Sequence, residues 1–204
     1  MMNKKSNCLQ AKQAFETRCH KATLVLDSPD VTIIDWEKAD GGSDYYVRYI
    51  LSRTDSRQNL LVMGDLGSAC FEFWWNREDF TVQEFARRNP DANIEYFLEK
   101  LESSSDKYWY DYDLAETKLR NAMSEVDVSE DSPYDNYDVE EAISDAMSDF
   151  ICPTGFGSKA YETISPYFDD LWEWFYDCGQ TIHPRVYLWI VGLFMACKQL
   201  EKSD

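Results

Sequence analysis

The sequence predicts an α+β protein: an N-terminal antiparallel sheet, then an acidic helical region, then two C-terminal helices packed on the sheet. Three observations predict it. β-branched and aromatic segments separated by short turns fill the first third, helical periodicity fills the remainder, and the negative charge is concentrated in the middle.

A short helix is expected first, around Leu9 to Cys19. Strands are expected at Val31–Trp36, Tyr45–Leu51, Asn59–Met63 and Ala69–Trp75. Turn residues separate them: Gly41-Gly42-Ser43, Thr54 to Arg57, and Gly64-Asp65-Leu66-Gly67. Gaps this short favour antiparallel hairpins, because parallel pairing needs a crossover of about a dozen residues or more.

Helices follow. Thr81 with Glu84 three residues on is a capping-box pattern opening a helix to Arg88. Ile94, Phe97, Leu98 and Leu101 lie on one face of a helix entered near Pro90. Leu114 to Glu125 is a third helix, and Val139, Ile143, Ala146, Met147 and Phe150 line a fourth. Ser165-Pro166 is an N-cap and N1 pair before Phe168, Leu171, Trp172 and Phe175. Pro184 opens the last helix, to about Leu200, and 130–137 is a loop. The expected division is a sheet part, 1–90, an acidic helical part, 91–150, and a C-terminal helical part, 151–204, within one compact domain.

The 204 residues include seven Trp, thirteen Tyr and eleven Phe, enough aromatic area for a real core. The net charge is −18, of which −14 falls in residues 91–150. That sign repels nucleic acid and anionic lipid, and its natural partners are basic surfaces. Direct nucleic-acid binding needs a cationic footprint, which this composition lacks. No signal-peptide pattern opens the chain, and the longest apolar run, Val186 to Cys197, is short of the about 20 residues a membrane span needs. Six cysteines without a Cys-x-x-Cys pair, Cys8, Cys19, Cys70, Cys152, Cys178 and Cys197, fit reduced, buried thiols of a cytoplasmic protein.

The acidic stretch interleaves carboxylates with aromatics. Such a surface has three readings: a solvated helical face, a mimic of a polyanion, or a calcium loop. As a mimic, Asp111, Asp113, Asp127, Glu130, Asp131, Asp135, Asp138, Glu140 and Glu141 would face Lys or Arg of a partner. Tyr110, Tyr112, Tyr134 and Tyr137 would pack on its cleft, with Trp174, where exposed, as an anchor. For calcium, Asp127, Ser129, Asp131, Asp135 and Asp138 match loop positions, but Ser132 and Pro133 break the pattern. Zinc lacks four ligands at short fixed spacing. Catalysis lacks a nucleophile beside a base: His20 lies among charged residues, and His183 sits where a helix starts. No phosphate-cradling loop occurs. The expectation is a protein that is not an enzyme and uses no cofactor or metal.

Two segments, Leu60–Phe73 and His183–Glu201, resemble parts of uncharacterised phage and prophage proteins. The resemblance implies a phage setting inside a bacterial host cell. By charge and size the chain is similar to anti-CRISPR proteins and DNA mimics. The implied function is inhibition of a host defence nuclease, a CRISPR effector first, by direct binding in its nucleic-acid cleft. The alternative is a structural or regulatory interaction module of a phage, without mimicry.

Overall fold

The computed structural model describes residues 4–104, 106–129, 132–152 and 154–202. In chain order the elements are α1 (Lys4–Thr17), β1 (His20–Asp27), β2 (Val31–Lys38), β3 (Val47–Arg53), β4 (Gln58–Gly64), β5 (Ala69–Phe73), α2 (Val82–Arg87), α3 (Pro90–Glu99) and β6 (Leu101–Ser104). There follow β7 (Tyr108–Tyr110), α4 (Tyr112–Met123), α5 (Asn136–Ser148), β8 (Phe150–Ile151), β9 (Gly155–Phe156), α6 (Ser158–Ile164), β10 (Gln180–Ile182) and α7 (Pro184–Glu201). The protein is α+β, as the sequence predicts.

The chain forms two compact units. A sheet unit holds residues up to 107 and from 183 onward, and a helical unit holds 108–182. The breaks therefore follow chain contacts rather than the charge steps at 90 and 150. The helical unit begins and ends side by side: β7 pairs antiparallel with β10, Tyr108 opposite Ile182. In the sheet unit the His183 amide donates to the Lys107 carbonyl at 3.0 Å.

In the sheet unit, β1 to β6 pair in sequence order, every pair antiparallel. Alternation selects one face for the core: Thr32, Ile34 and Trp36 on β2, Val47, Tyr49 and Leu51 on β3, Leu60 and Val62 on β4, Phe71 and Phe73 on β5. Cross-strand register aligns these into rows such as Ile34, Tyr49, Val62 and Ala69. On the other face Ile33, Ile50, Leu61 and Cys70 form a half-buried row.

Two strands escape the sequence pattern. β1 is an edge strand with Leu24, Val25 and Leu26 exposed and a register shift between Leu24 and Leu26, so it lacks alternation. β6, Leu-Glu-Ser-Ser, has little strand propensity and is held by pairing with β5. Its presence also corrects the third helix: α3 ends at Glu99, and Leu101 starts a strand instead of continuing the Ile94–Phe97 face.

α7 covers the inner face. It is apolar all round, and Val186, Trp189, Ile190, Leu193, Ala196 and Cys197 are fully buried against α1, α2 and the sheet. Gly192 sits at the closest approach. A Cβ there would overlap the Tyr49 Oη and lie 3.1 Å from the Phe15 ring. The Tyr49 Oη is buried with no hydrogen-bond partner among the described residues. Arg53, at the end of β3, is the buried charge of this unit. Its guanidinium donates to the carbonyls of Pro29 (3.0 Å), Phe80 (3.1 Å) and Ser28 (2.6 Å) and to the Thr32 hydroxyl (2.7 Å).

In the helical unit, Ala115, Leu119 and Met123 of α4 and Ala142, Ile143, Ala146 and Met147 of α5 form stripes at helical spacing. They close over Phe156, Ala160, Ile164, Leu171, Phe175 and Cys178. The helix expected from Ser165-Pro166 is absent. Pro166 instead follows the C-terminus of α6, because a proline supplies no N–H to continue a helix. Three single 3₁₀ turns follow, Ser165–Tyr167, Leu171–Glu173 and Phe175–Asp177. Of the two C-terminal helices expected on the sheet, α7 packs there, and the one opened by Ser165-Pro166 does not form.

Gly192→Ala is expected to destabilise the protein by about 1–3 kcal/mol through overpacking, although Ala is favoured over Gly within helices by about 1 kcal/mol. In a Tyr49→Phe background the overlap is relieved, and the same change should cost less than about 1 kcal/mol. Urea denaturation of the four proteins checks this; an equal cost in both backgrounds refutes the close-approach account.

Candidate functional site

Charge segregates by unit. Residues 108–182 carry 18 Asp and Glu against three Lys and Arg, a net charge of −15, which leaves −3 for the rest of the chain. None of the unit's described acids is buried. The helical unit is therefore a small apolar core with an almost uniformly anionic exterior.

The sequence-predicted acids divide by what they do. Asp111 caps α4, accepting from the Leu114 amide at 2.8 Å. Asp135 caps α5, accepting from Tyr137 and Asp138 amides, and the Asp138 carboxylate accepts in return from the Asp135 amide at 3.0 Å. Those carboxylates face backbone N–H groups at positive helix ends, which is a local structural role. Asp127 accepts from the Ser129 amide, and that contact holds its pKa below the ordinary value. Glu140 pairs with Arg120 at 2.9 Å, and Arg120 also holds Glu116. Asp113 and Glu141 are exposed with no cation within 4.0 Å among the described residues. Glu130 and Asp131 lie outside the described residues.

The aromatics divide the same way. Tyr110 lies on the backbone of Gly155, where a Cβ would come within 2.7 Å of its ring, and Gln180 donates to its hydroxyl. Tyr134 stacks on Tyr167 with centroids 4.4 Å apart and donates to the Pro166 carbonyl. Trp174 is half-buried, edge-on to Phe168 and Phe175, and is not the exposed anchor. Tyr112 is exposed, with its ring edge-on to Phe150, and Tyr137 is 72% exposed.

The structure presents a second acidic–aromatic ridge that the helical pattern hides. Asp169, Asp170, Glu173 and Asp177 are all exposed around Trp172 (65% exposed) and Tyr176 (55% exposed). Helical spacing predicts Trp172 and Tyr176 on the buried side with Phe175. The 3₁₀ turns bury Leu171 and Phe175 and turn those two rings outward. Its sequence signal is the run Asp-Asp-Leu-Trp-Glu-Trp-Phe-Tyr-Asp at 169–177. On α5, Tyr137, Glu141 and Asp145 add an exposed line at i, i+4 and i+8, neighbours about 6 Å apart.

Among the described residues no group of three or more His, Cys, Asp or Glu could hold a metal ion. Of the calcium pattern, Asp127, Asp135 and Asp138 accept from backbone amides, and Asp131 lies outside the described residues. The expectation that the cysteines are all buried is corrected: Cys19 and Cys152 are exposed, in a turn after α1 and beside β8, and Cys70 is half-buried. Burial raises the Cys178 thiol to about 11. Burial lowers the pKa of both histidines. His20 packs between Phe15 and Trp36 with Nε2 3.2 Å from the Tyr45 carbonyl; His183 caps α7, its Nδ1 accepting from the Arg185 amide. No helix among the described residues is long and apolar enough to cross a membrane. Comparison with protein-family models, curated proteins and solved structures finds no match.

Two expectations follow. Asp135→Ala should lower stability by about 1 kcal/mol, the usual worth of a cap, whereas Glu141→Lys or Asp145→Lys should leave it unchanged or raise it by relieving like-charge repulsion; thermal melts compare them. The histidines' folded-state pKa values lie below 6.5, so the unfolded chain binds the proton first. Their contribution is complete above pH 6.5 and is lost as pH falls below it. Denaturation at pH 7.5 and 5.5 should show a smaller acid loss in His20→Gln than in the parent protein.

Proposed function

We propose that the helical unit is a polyanion mimic that binds a basic, nucleic-acid-binding protein and competes for its cleft. The observation that carries this reading is the segregation of −15 of the net charge into one compact unit with none of its described acids buried. Solubility asks far less, since a net charge of about 2–8 serves a small domain. Like-charge repulsion on so small a unit works against its folding. A binding role accounts for the excess.

The contact groups on this reading are the unpaired acids and exposed rings, not the helix caps. They are Asp113 and Tyr112 on α4, Glu141, Asp145 and Tyr137 on α5, and Asp169, Asp170, Glu173, Trp172 and Tyr176 on the 3₁₀ ridge. Carboxylates take the place of phosphates against Lys and Arg, and Trp and Tyr can stack on arginine. The partner class is a host defence nuclease, a CRISPR effector first, which rests on the resemblance to phage proteins.

A second reading keeps the site and changes the physics. Trp172 and Tyr176 are large exposed aromatics of the kind that anchor ordinary protein interfaces, so the ridge would dock by apolar packing within a phage assembly.

Affinity capture from bacterial lysate separates the two. The mimic is expected to capture a nucleic-acid-binding nuclease that duplex DNA displaces. Its binding should weaken steeply between about 50 and 200 mM salt, and the variant Glu141→Lys/Asp145→Lys/Asp169→Lys/Asp170→Lys/Glu173→Lys should lose it. A partner that survives salt and charge reversal but is lost with Trp172→Ala supports the packing module and overturns mimicry.

A further inference from the structure

The sheet unit contains a groove of opposite character. It has a volume of about 490 Å³ and lies between α1, α7 and the α2–α3 connection. Leu9, 54% exposed, and the half-buried Met195 give it an apolar lining, with Val191 and Phe194 buried beneath them. Lys12, Arg87, Arg88 and Lys198 line it as well, and among the described residues no Asp or Glu does. In a chain with 38 Asp and Glu and 20 Lys and Arg, four cations around an apolar floor run against the overall composition.

Lys12, Arg87 and Lys198 are weakly neutralised. Lys12 meets Glu16 at 3.6 Å and Arg87 meets Glu201 at 4.0 Å, exposed pairs of the kind that contribute little. Arg88 meets Glu84 at 3.0 Å and lies 3.9 Å over the Trp75 ring, so its guanidinium is held in place at the rim. Lys198 has no carboxylate within 4.0 Å among the described residues. The volume falls in the range of small-ligand pockets, about 300–1,000 Å³.

The larger cavity of this unit, about 560 Å³, also contains two arginines. There Arg53 donates to main-chain carbonyls and Arg77 pairs with Asp30 and Asp55, so both already have internal partners.

We propose that the α1–α7 groove binds a single-chain amphiphilic anion, a carboxylate on an apolar tail of the fatty-acid type. The head would sit between Arg87 and Lys198, and the tail would cover Leu9 and Met195 above the buried Val191 and Phe194. This is independent of the reading of residues 108–182, because every lining residue belongs to the sheet unit.

The test is calorimetric titration of the full chain with decanoate below its micelle-forming concentration. Decyltrimethylammonium, with the same tail and opposite charge, and acetate, a head without a tail, serve as comparators. Decanoate should bind saturably at one site, acetate should not, and the cationic amphiphile should bind at least about tenfold more weakly despite the protein's negative charge. Lys198→Glu and Leu9→Asp, both at exposed positions, should each weaken decanoate about tenfold or more while leaving the thermal midpoint in place. Equal or tighter binding of the cationic amphiphile overturns the proposal. Absence of decanoate heat, or decanoate binding unchanged in both variants, also overturns it. The five-lysine variant of the acidic unit should bind decanoate normally, so failure of one reading does not imply failure of the other.

Discussion

The sheet unit depends on burying one helix. From Val186 to Cys197, α7 is apolar around its whole circumference and must be enclosed on several sides. The inner face of the sheet supplies one wall, and α1 and α2 supply others. The wall is close enough that a Cβ at position 192 would overlap the Tyr49 hydroxyl and press on the Phe15 ring. The flat rows of Ile34, Tyr49 and Val62 and of Leu51, Leu60 and Phe71 have a common purpose, which is to present a continuous apolar surface to that helix. The chain reaches α7 only after the whole helical unit, so the sheet's cover is supplied by residues more than a hundred positions away from the strands it covers. Such long-range closure carries a loop-entropy cost that rises only slowly with loop length, which is why an insertion of this size is tolerated.

Charge follows the same partition. The sheet unit balances its charges nearly in pairs, such as Asp35 with Arg48 at 2.7 Å, and buries Arg53 among backbone carbonyls. Asp35 is held below the ordinary carboxylate range chiefly by its hydrogen bond from Arg48. The helical unit has few cations to pair with. It manages its excess by turning some carboxylates onto helix N-termini, as at Asp111, Asp135 and Asp149, whose carboxylate accepts from the Ala160 amide at 2.9 Å. Arg120 serves two more. The acids left over point outward, and they sit beside the rings that the short turns expose. Stability and display are thus divided among the acids of one unit, and the two groups should be distinguished in any account of binding.

Secondary structure was legible wherever a local period was strong. β2 to β5 alternate, α4 and α5 carry i, i+4 stripes, and Thr81 and Pro184 mark helix starts. It failed where the deciding partner is distant. β1 exists as an edge strand paired to β2, with an amide that donates to Gln199 of α7. β6 exists because β5 had an open edge, and no property of Leu-Glu-Ser-Ser announces it. Pro166 is compatible with opening or closing a helix, and the packing of Leu171 and Phe175 into the helical core selected closure.

The sequence by itself determined the α+β class, the antiparallel order of the central strands, the apolar character of the last helix and the strongly anionic sign of the surface. Those properties are sums or short periods, and a chain carries them without knowing its neighbours. Tertiary structure decided which acids are caps and which are free, that Trp172 and Tyr176 rather than Trp174 face outward, and that Lys12, Arg87, Arg88 and Lys198 converge on one apolar groove. Each of those outcomes depends on which residues meet across long stretches of chain. Side-chain exposure is set by the packing of the partner surface, and no local pattern encodes it.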